Sequence, residues 1–327
     1  MPISLTILFS SAGRRVELMN SFRRDAAALD LDLRVLATDM NPGWSAACQA
    51  ADRAFAAPSC RSPAFIERML DIVREEKVDL IVPTIDTELL VYADARDHFA
   101  AAGCQVMVSA PEVVEVARDK LLTAKRLNET GIPTPKTATP EEVLDAPGDW
   151  PGQLMLKPRG GSSSIGIQRI DKVADMPDPA DLANYVVQEL LDGDEYTVNI
   201  FVDGQGRLIA AVPHQRIEVR GGEVSKGVTR RQPALERAAE AIVEALPSMY
   251  GALCFQAIVD EGGEARLFEI NARFGGGFPL AHRAGAPFSA WLLEALAGLP
   301  SSAGDHWRNG VVMLRYDSAR FMETGDS

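Results

Sequence analysis

Over its first ~110 residues the chain alternates short apolar runs with stretches of helical spacing, and this pattern leaves few folds open. Leu5–Phe9, Leu33–Thr38, Leu80–Pro83 and Gln105–Ser109 read as strands. Arg15–Leu29 reads as a helix with Val16, Met19, Phe22 and Ala26 on one face, and Phe65–Glu75 and Leu89–Ala101 read as two more. Buried strands separated by helices require crossover connections, hence a parallel sheet. Ligands of such sheets sit beyond the carboxyl ends of the strands. That places Ser10–Arg15, Asp39 and Thr84–Asp86 along one rim. The rim is not GxGxxG, so a dinucleotide site is excluded. Arg14 and Arg15, at a helix start, could hold an anion or simply cap a surface helix.

The remaining chain has a different rhythm. Pro111 opens a helix expected over 112–130, which Gly131-Ile-Pro-Thr-Pro ends. A short helix at 140–144 and a turn at 148–152 follow. Strands are expected at 154–158, 165–170, 185–190, 196–202 and 208–213, a helix at 234–246, and strands at 252–260 and 265–271. No internal repeat is evident, and residues 317–327 are expected to fray.

Of the 327 residues, 33 are Lys or Arg and 46 are Asp or Glu, a net charge of −13. That argues against a nucleic-acid scaffold, which needs a basic surface, but leaves room for a small anionic ligand held by a few local cations. No apolar stretch is long enough to span a membrane, and the first residues lack a signal-peptide pattern. Cys48, Cys60, Cys104 and Cys254 lack metal spacing and read as free thiols in a reducing cytoplasm.

Three segments carry chemistry. In Leu156-Lys157-Pro158-Arg159-Gly160-Gly161-Ser162-Ser163-Ser164, a strand delivers two cations into a Gly/Ser loop whose N–H groups can surround phosphate oxygens. Without a following Gly-Lys-Ser/Thr it is not a Walker loop, and alone it is equally compatible with a flexible hairpin loop. In Phe268-Glu269-Ile270-Asn271-Ala272-Arg273, the two-residue period puts Glu269, Asn271 and Arg273 on one face. The hard oxygens suit Mg²⁺, which takes phosphate oxygens as its other ligands. A hairpin at Glu261–Glu264 would bring Gln256 beside Glu269; a solvated face with a Glu269–Arg273 ion pair is the alternative. In Val187-Gln188-Glu189-Leu190-Leu191-Asp192-Gly193-Asp194-Glu195, a strand stops and restarts, as a plain hairpin would, or as a backbone edge beside an adenine with Glu195 near a ribose.

Together and in this order, the segments resemble the ATP-grasp superfamily, most closely the type seen in the carbamoyl-phosphate synthetase large subunit. The resemblance implies an α/β (α+β) chain: a parallel-sheet, Rossmann-like pre-ATP-grasp domain over 1–112, a small ATP-grasp lobe over 113–190, a large lobe over 191–316 and a tail over 317–327. It implies that Arg118 and Lys157 contact ATP phosphates and that Arg159 does so too or holds the carboxylate substrate. Gly160, Gly161, Ser162, Ser163 and Ser164 would close over the phosphates. Gln188, Glu189 and Leu191 would line the adenine pocket, with Glu195 on the ribose. Gln256, Glu269 and Asn271 would ligate Mg²⁺, for which Mn²⁺ can substitute. The neutral amide at 256 implies weaker metal binding there than an acidic residue would give. Arg273 would stabilise the transferred phosphoryl. Arg216 and Lys226, in a basic stretch around Gly221-Gly222, and Arg14 or Arg15 are candidate grips on an anionic substrate, although a solvated hairpin accounts equally well for the first two.

The activity implied is ATP-dependent carboxylate–amine ligation through an acyl-phosphate, with small-molecule substrates, no nucleic-acid or membrane partner, and a homodimer allowed although no residue demands one. Two alternatives stay open: a single-module carbamoyl-phosphate synthetase-like enzyme using bicarbonate and ammonia, and a non-catalytic ATP-binding sensor.

Overall fold

The structure is a computed structural model and describes residues 2–161 and 165–322. The chain divides into two compact units. Residues 1–107, Pro287–Ser302 and the segment from Met313 group together, as do Val108–Ala286 with Ala303–Val312. Pro287–Ser302 therefore joins the N-terminal unit rather than the lobe expected over 191–316.

The first unit contains β1 (Ser4–Ser10), α1 (Val16–Ala28), β2 (Asp32–Asp39), β3 (Arg53–Ala56), α2 (Phe65–Glu76), β4 (Leu80–Pro83), α3 (Asp86–Asp94), α4 (Arg96–Ala101) and β5 (Gln105–Val106). The sheet is parallel in the order β3-β2-β1-β4-β5. In its central strand Ile7, Leu8 and Phe9 are fully buried, which is why the apolar run is continuous rather than alternating. Phe9 meets Phe22 of α1 edge-to-face at 5.3 Å, a contact worth about 1 kcal/mol beyond the area it buries. β3 left no sequence signal because it is a short edge strand in which only Phe55 is buried. The expected strand at 105–109 keeps only its first two residues.

The second unit opens with two helices rather than the single one expected over 112–130: α5 (Pro111–Arg118) and α6 (Lys120–Glu129). Asp119 separates them. Its backbone is extended (φ −119°, ψ 109°), and its carboxylate accepts from the N–H groups of Leu121 and Leu122, the preferred geometry for Asp at a helix N-cap.

Beyond them, β6 (Thr137–Ala138), α7 (Pro140–Asp145), β7 (Leu154–Pro158), β8 (Gln168–Ile170) and β9 (Tyr185–Glu189) build an antiparallel sheet in the order β6-β9-β7-β8. Its core gathers Val143, Trp150, Leu154, Leu156, Ile170, Leu182 and Val187. A larger antiparallel sheet runs β14-β13-β10-β11-β12, from β10 (Asp194–Val202), β11 (Leu208–Arg220), β12 (Glu223–Thr229), β13 (Gly251–Val259) and β14 (Ala265–Asn271). It carries α8 (Pro233–Ala245) and is followed by α9 (Phe278–Ala284); α10 (Phe288–Ala297) belongs to the first unit, where Ser289 donates to Asp25. β11 runs to Arg220, well past its expected end, and turns at Gly221-Gly222 into β12, which the polar sequence concealed.

β9 and β10 lie in different sheets, so residues 189–194 join two sheets instead of turning a hairpin. Gly193 makes the crossing at φ +139°, where a Cβ would stand 2.3 Å from the Val259 carbonyl oxygen. Both the dihedral and the close approach demand glycine. Gly193→Ala is expected to cost at least about 3 kcal/mol and to lower the melting temperature by more than about 5 °C; a melting temperature within 2 °C of wild type overturns this account.

Candidate functional site

Of the candidate residues of the second unit, Glu269 and Glu195 lie close enough to Lys157 to act on its charge. Lys157 is the penultimate residue of β7, and its Nζ rests 4.7 Å from the centre of the Phe268 ring on β14. Its pKa lies at about 8 instead of 10.5, because burial, with Lys120 beside it, outweighs the pull of Glu269 and Glu195 toward the charged form. One ammonium thus senses the start of α6, the ribose candidate on β10 and the metal candidate on β14. It is held in a setting that disfavours its charge until an anion arrives.

On the larger sheet the expected pairing is present, reached through a β-bulge at Phe268 that shifts the hairpin register. Gln256 of β13 lies opposite Glu269 of β14, and Cys254 opposite Asn271. Glu269 is the one carboxylate that the β13–β14 pair carries. The amide oxygens of Gln256 and Asn271 are hard neutral donors beside it. Arg273 is not on the same strand face, because β14 ends at Asn271. It returns by a turn: its N–H donates to the Asn271 carbonyl at 2.8 Å, Nη2 donates to Asn271 Oδ1 at 3.1 Å and Nη1 to the Phe274 carbonyl at 3.1 Å. The Gly275-Gly276-Gly277 turn that follows is packed tightly. Cβ atoms there would come within 2.8 Å of Cys254 Sγ, 2.7 Å of the Glu223 carboxyl carbon and 2.5 Å of His214 Nε2. His214 is fully buried, with Nδ1 3.3 Å from Asn199 Nδ2, a packing position rather than that of an accessible base.

The loop after β7 is tied to the break between α5 and α6. Arg159 Nε donates to both oxygens of Asp119, at 2.8 and 2.7 Å, and this hydrogen bond raises the Arg159 pKa. Lys120, which the sequence reading passed over, is buried; its N–H donates to the Arg159 carbonyl and its Nζ to the Gly161 carbonyl at 2.8 Å. The cue was present in Arg118-Asp119-Lys120, but reading one continuous helix hid which of the two cations faces the loop. Arg118 ends α5 half-buried, its carbonyl against Gly160. Gly161 packs on Pro158, whose Cβ would lie 2.9 Å from an added methyl. Ser162, Ser163 and Ser164 lie outside the described residues.

At the crossing between the sheets, the buried Gln188 donates from Nε2 to Thr137 Oγ1 at 3.0 Å, and its Oε1 has no partner among the described residues. The Glu189 carboxylate accepts from the Lys136 N–H at 2.9 Å and Arg266 Nη1 at 3.2 Å. The side chains of Gln188 and Glu189 therefore fasten the crossing, and Leu191 just beyond them is half-buried. Glu195 Oε1 is 2.9 Å from Arg216 Nε. Arg216 also donates to Thr197 Oγ1 at 3.0 Å and to the Gly222 carbonyl at 3.1 Å. These contacts tie Arg216 to Glu195 and to the β11–β12 turn. Lys226 pairs with Glu218 at 2.7 Å on the exposed hairpin.

Residues 117–277 match the model of the ATP-grasp domain, and residues 7–107 that of the PylC-like N-terminal domain. The second unit carries an ATP-grasp domain. Over 127 residues the chain is 32% identical to a D-alanine–D-alanine ligase of Methylibium petroleiphilum, covering 35% of this chain and 38% of that protein. Over 259 residues it is 23% identical to the carbamoyl phosphate synthase large chain of Campylobacter jejuni, covering 75% of this chain and 23% of the other. The chain thus spans well under half the length of these curated relatives. It shares its fold with the biotin carboxylase domain of Hydrogenobacter thermophilus 2-oxoglutarate carboxylase, solved with MgADP, ADP and bicarbonate: the TM-score is 0.72 at 17% identity, over 94% of this chain and 73% of that one.

Arg14 and Arg15 lie in the PylC-like unit, in the loop between β1 and α1. That loop is pinned where Ser10 and Ser11 donate to the buried Glu88, both at 2.7 Å, and where the Gly13 N–H donates to Asp39 at 3.2 Å. Among the described residues of the whole chain, no group of three or more His, Cys, Asp or Glu could hold a metal ion. The ATP-grasp domain does fit Mg²⁺ of the kind completed by phosphate oxygens, since one carboxylate and two amide oxygens stand on paired strands near a lysine suited to the same phosphates. No helix of the described residues is long and apolar enough to cross a membrane.

Proposed function

We propose that the protein is an ATP-dependent ligase that joins a carboxylate to an amine. The carboxylate oxygen attacks the γ-phosphorus of ATP, the bond from phosphorus to the bridging oxygen breaks, and ADP leaves. The amine then attacks the carbonyl carbon of the acyl-phosphate, phosphate departs, and the amine gives up a proton. The observation that carries this reading is the meeting of Lys157 with Glu269, Glu195 and Lys120 inside an ATP-grasp domain.

Phosphoryl transfer needs positioning and charge neutralisation more than a protein nucleophile, and this unit offers both. Lys157, Lys120 and Arg159 would hold the triphosphate. Glu269, with Gln256 and Asn271, would hold Mg²⁺ or Mn²⁺, whose role is to neutralise the β- and γ-phosphate oxygens. Arg273, fixed by Asn271 and Phe274, would face the transferred phosphoryl, and Glu195, held by Arg216, the ribose. The glycine loop after Arg159 would exclude water from the acyl-phosphate. The carboxylate and the amine are small molecules, and the site is read as cytoplasmic because ATP supplies the driving force.

Two experiments test this. ADP release from Mg·ATP is measured against pooled amino acids and small carboxylates, with bicarbonate plus ammonia in a separate well. Release that requires one amine–carboxylate pool supports the ligase; release with bicarbonate alone transfers the assignment to carbamoyl-phosphate-type chemistry. Arg273→Ala is expected to slow turnover by about 100-fold or more while changing the Kd for Mg·ADP less than about threefold. An equal loss in both would assign Arg273 to ground-state binding.

A further inference from the structure

Arg159 is constrained from several directions at once. Its N–H donates to the Asn184 carbonyl at 2.7 Å, its carbonyl accepts from the Lys120 N–H at 3.0 Å, and the carbonyl of Gly161 two residues on accepts from Lys120 Nζ. With the backbone held on both sides, the remaining freedom of Arg159 is that of its long side chain, which otherwise samples many rotamers. Asp119 removes it. Both carboxylate oxygens receive Nε, while the same carboxylate is fixed at the cap of α6 by Leu121 and Leu122. Nη1 and Nη2 of Arg159 make no hydrogen bond to any described residue, so they remain available.

The pair contributes little to stability, because its side chains are 40% and 21% exposed and ion pairs of that kind are worth at most about 1 kcal/mol. The geometry has a different consequence. A guanidinium gripped at Nε presents its two terminal nitrogens together as a planar fork, the form that binds phosphate oxygens two at a time.

We propose that Asp119 is a positioning residue for Arg159, orienting its terminal nitrogens toward the γ-phosphate of ATP. This rests on the proposed function. Asp119 never touches the nucleotide; it acts through Arg159 and couples the start of α6 to the loop after β7.

The test reads the γ-phosphate without needing the substrates. Kd values for Mg·ADP and for the Mg complex of the β,γ-imido analogue of ATP are measured by calorimetry for wild type, Asp119→Asn, Arg159→Gln and the double variant. Asn keeps the helix cap, so the melting temperature of Asp119→Asn should stay within about 3 °C of wild type. Wild type is expected to favour the imido analogue over ADP by about tenfold or more, and Asp119→Asn and Arg159→Gln each to lose most of that preference. The double variant should be no worse than Arg159→Gln alone, since removing the intermediary makes the effects non-additive. A preference retained in Asp119→Asn, a wild type that binds both nucleotides equally, or fully additive losses would overturn the proposal. A wild type that binds neither nucleotide would instead overturn the ATP reading on which it rests. Independent loss of folding in Asp119→Asn would show up as the melting temperature, and Asp119→Ser, which caps the helix without charge, then serves as the second variant under the same criteria.

Discussion

Glu269→Gln is expected to reduce Mg²⁺-dependent ADP formation by about 1,000-fold while leaving the melting temperature within about 2 °C of wild type. The substitution keeps the size and hydrogen-bonding oxygen of the side chain, and removes only the charge. Its neighbours explain the size of the effect. Gln256, its register partner, and Asn271, two residues on, are both neutral, so among these three proposed ligands Glu269 supplies the formal negative charge for a divalent cation. Loss of the carboxylate leaves only amide oxygens, which bind Mg²⁺ weakly unless phosphates provide the charge. Raising Mg²⁺ into the tens of millimolar range should recover part of the activity. Turnover within threefold of wild type at low Mg²⁺ would remove Glu269 from the metal-binding assignment.

Nucleotide affinity should fall as pH rises through 8. The Lys157 ammonium has a pKa of about 8 in the free protein because it is buried, and a triphosphate binds the charged form. Below pH 7 the charge is already in place, and the Kd is flat. Above pH 8 binding must take up a proton, so affinity declines toward tenfold per pH unit, and calorimetry near pH 8 should register uptake of about half a proton. Lys157→Arg should flatten the profile, since a guanidinium does not titrate there. Glu269→Gln should move its midpoint below 8, because Glu269 supports the charge of Lys157. The sign for stability is opposite. With the folded pKa below the unfolded one, the unfolded chain binds more protons between pH 8 and about 10.4, so Lys157 costs stability below pH 8 and that cost fades as pH rises through this window. Lys157→Met should therefore raise the melting temperature of the free protein at pH 7 by a few degrees while lowering Mg·ADP affinity at least tenfold. A wild-type Kd constant from pH 7 to 9.5 would show that Lys157 does not meet the phosphates.

The parallel sheet of the first unit was legible because its strands are buried on both faces, and continuous apolar runs such as Leu5–Phe9 admit little else. The hairpin that brings Gln256 near Glu269 was legible from the short turn between two strands, but the turn alone would set Gln256 opposite Phe268, and a β-bulge there shifts the register to Glu269. What the sequence alone did not determine depends on contacts between residues distant along the chain. The break at Asp119 is invisible to periodicity, because the apolar spacing continues across it while the carboxylate is drawn to two backbone N–H groups and to Arg159, 40 residues away. Lys120 was missed for the same reason: its direction is set by the Gly161 carbonyl, not by its neighbours in the helix. Arg216 and Lys226 looked like open cations in a charged hairpin, and only the fold supplies Glu195, Thr197 and Glu218 as their partners. Local propensity and hydrophobic period thus determined the elements and the order of the chemical groups. Tertiary packing decided which charges neutralise one another and which remain directed at a ligand, because that choice depends on through-space distance, which sequence spacing does not encode.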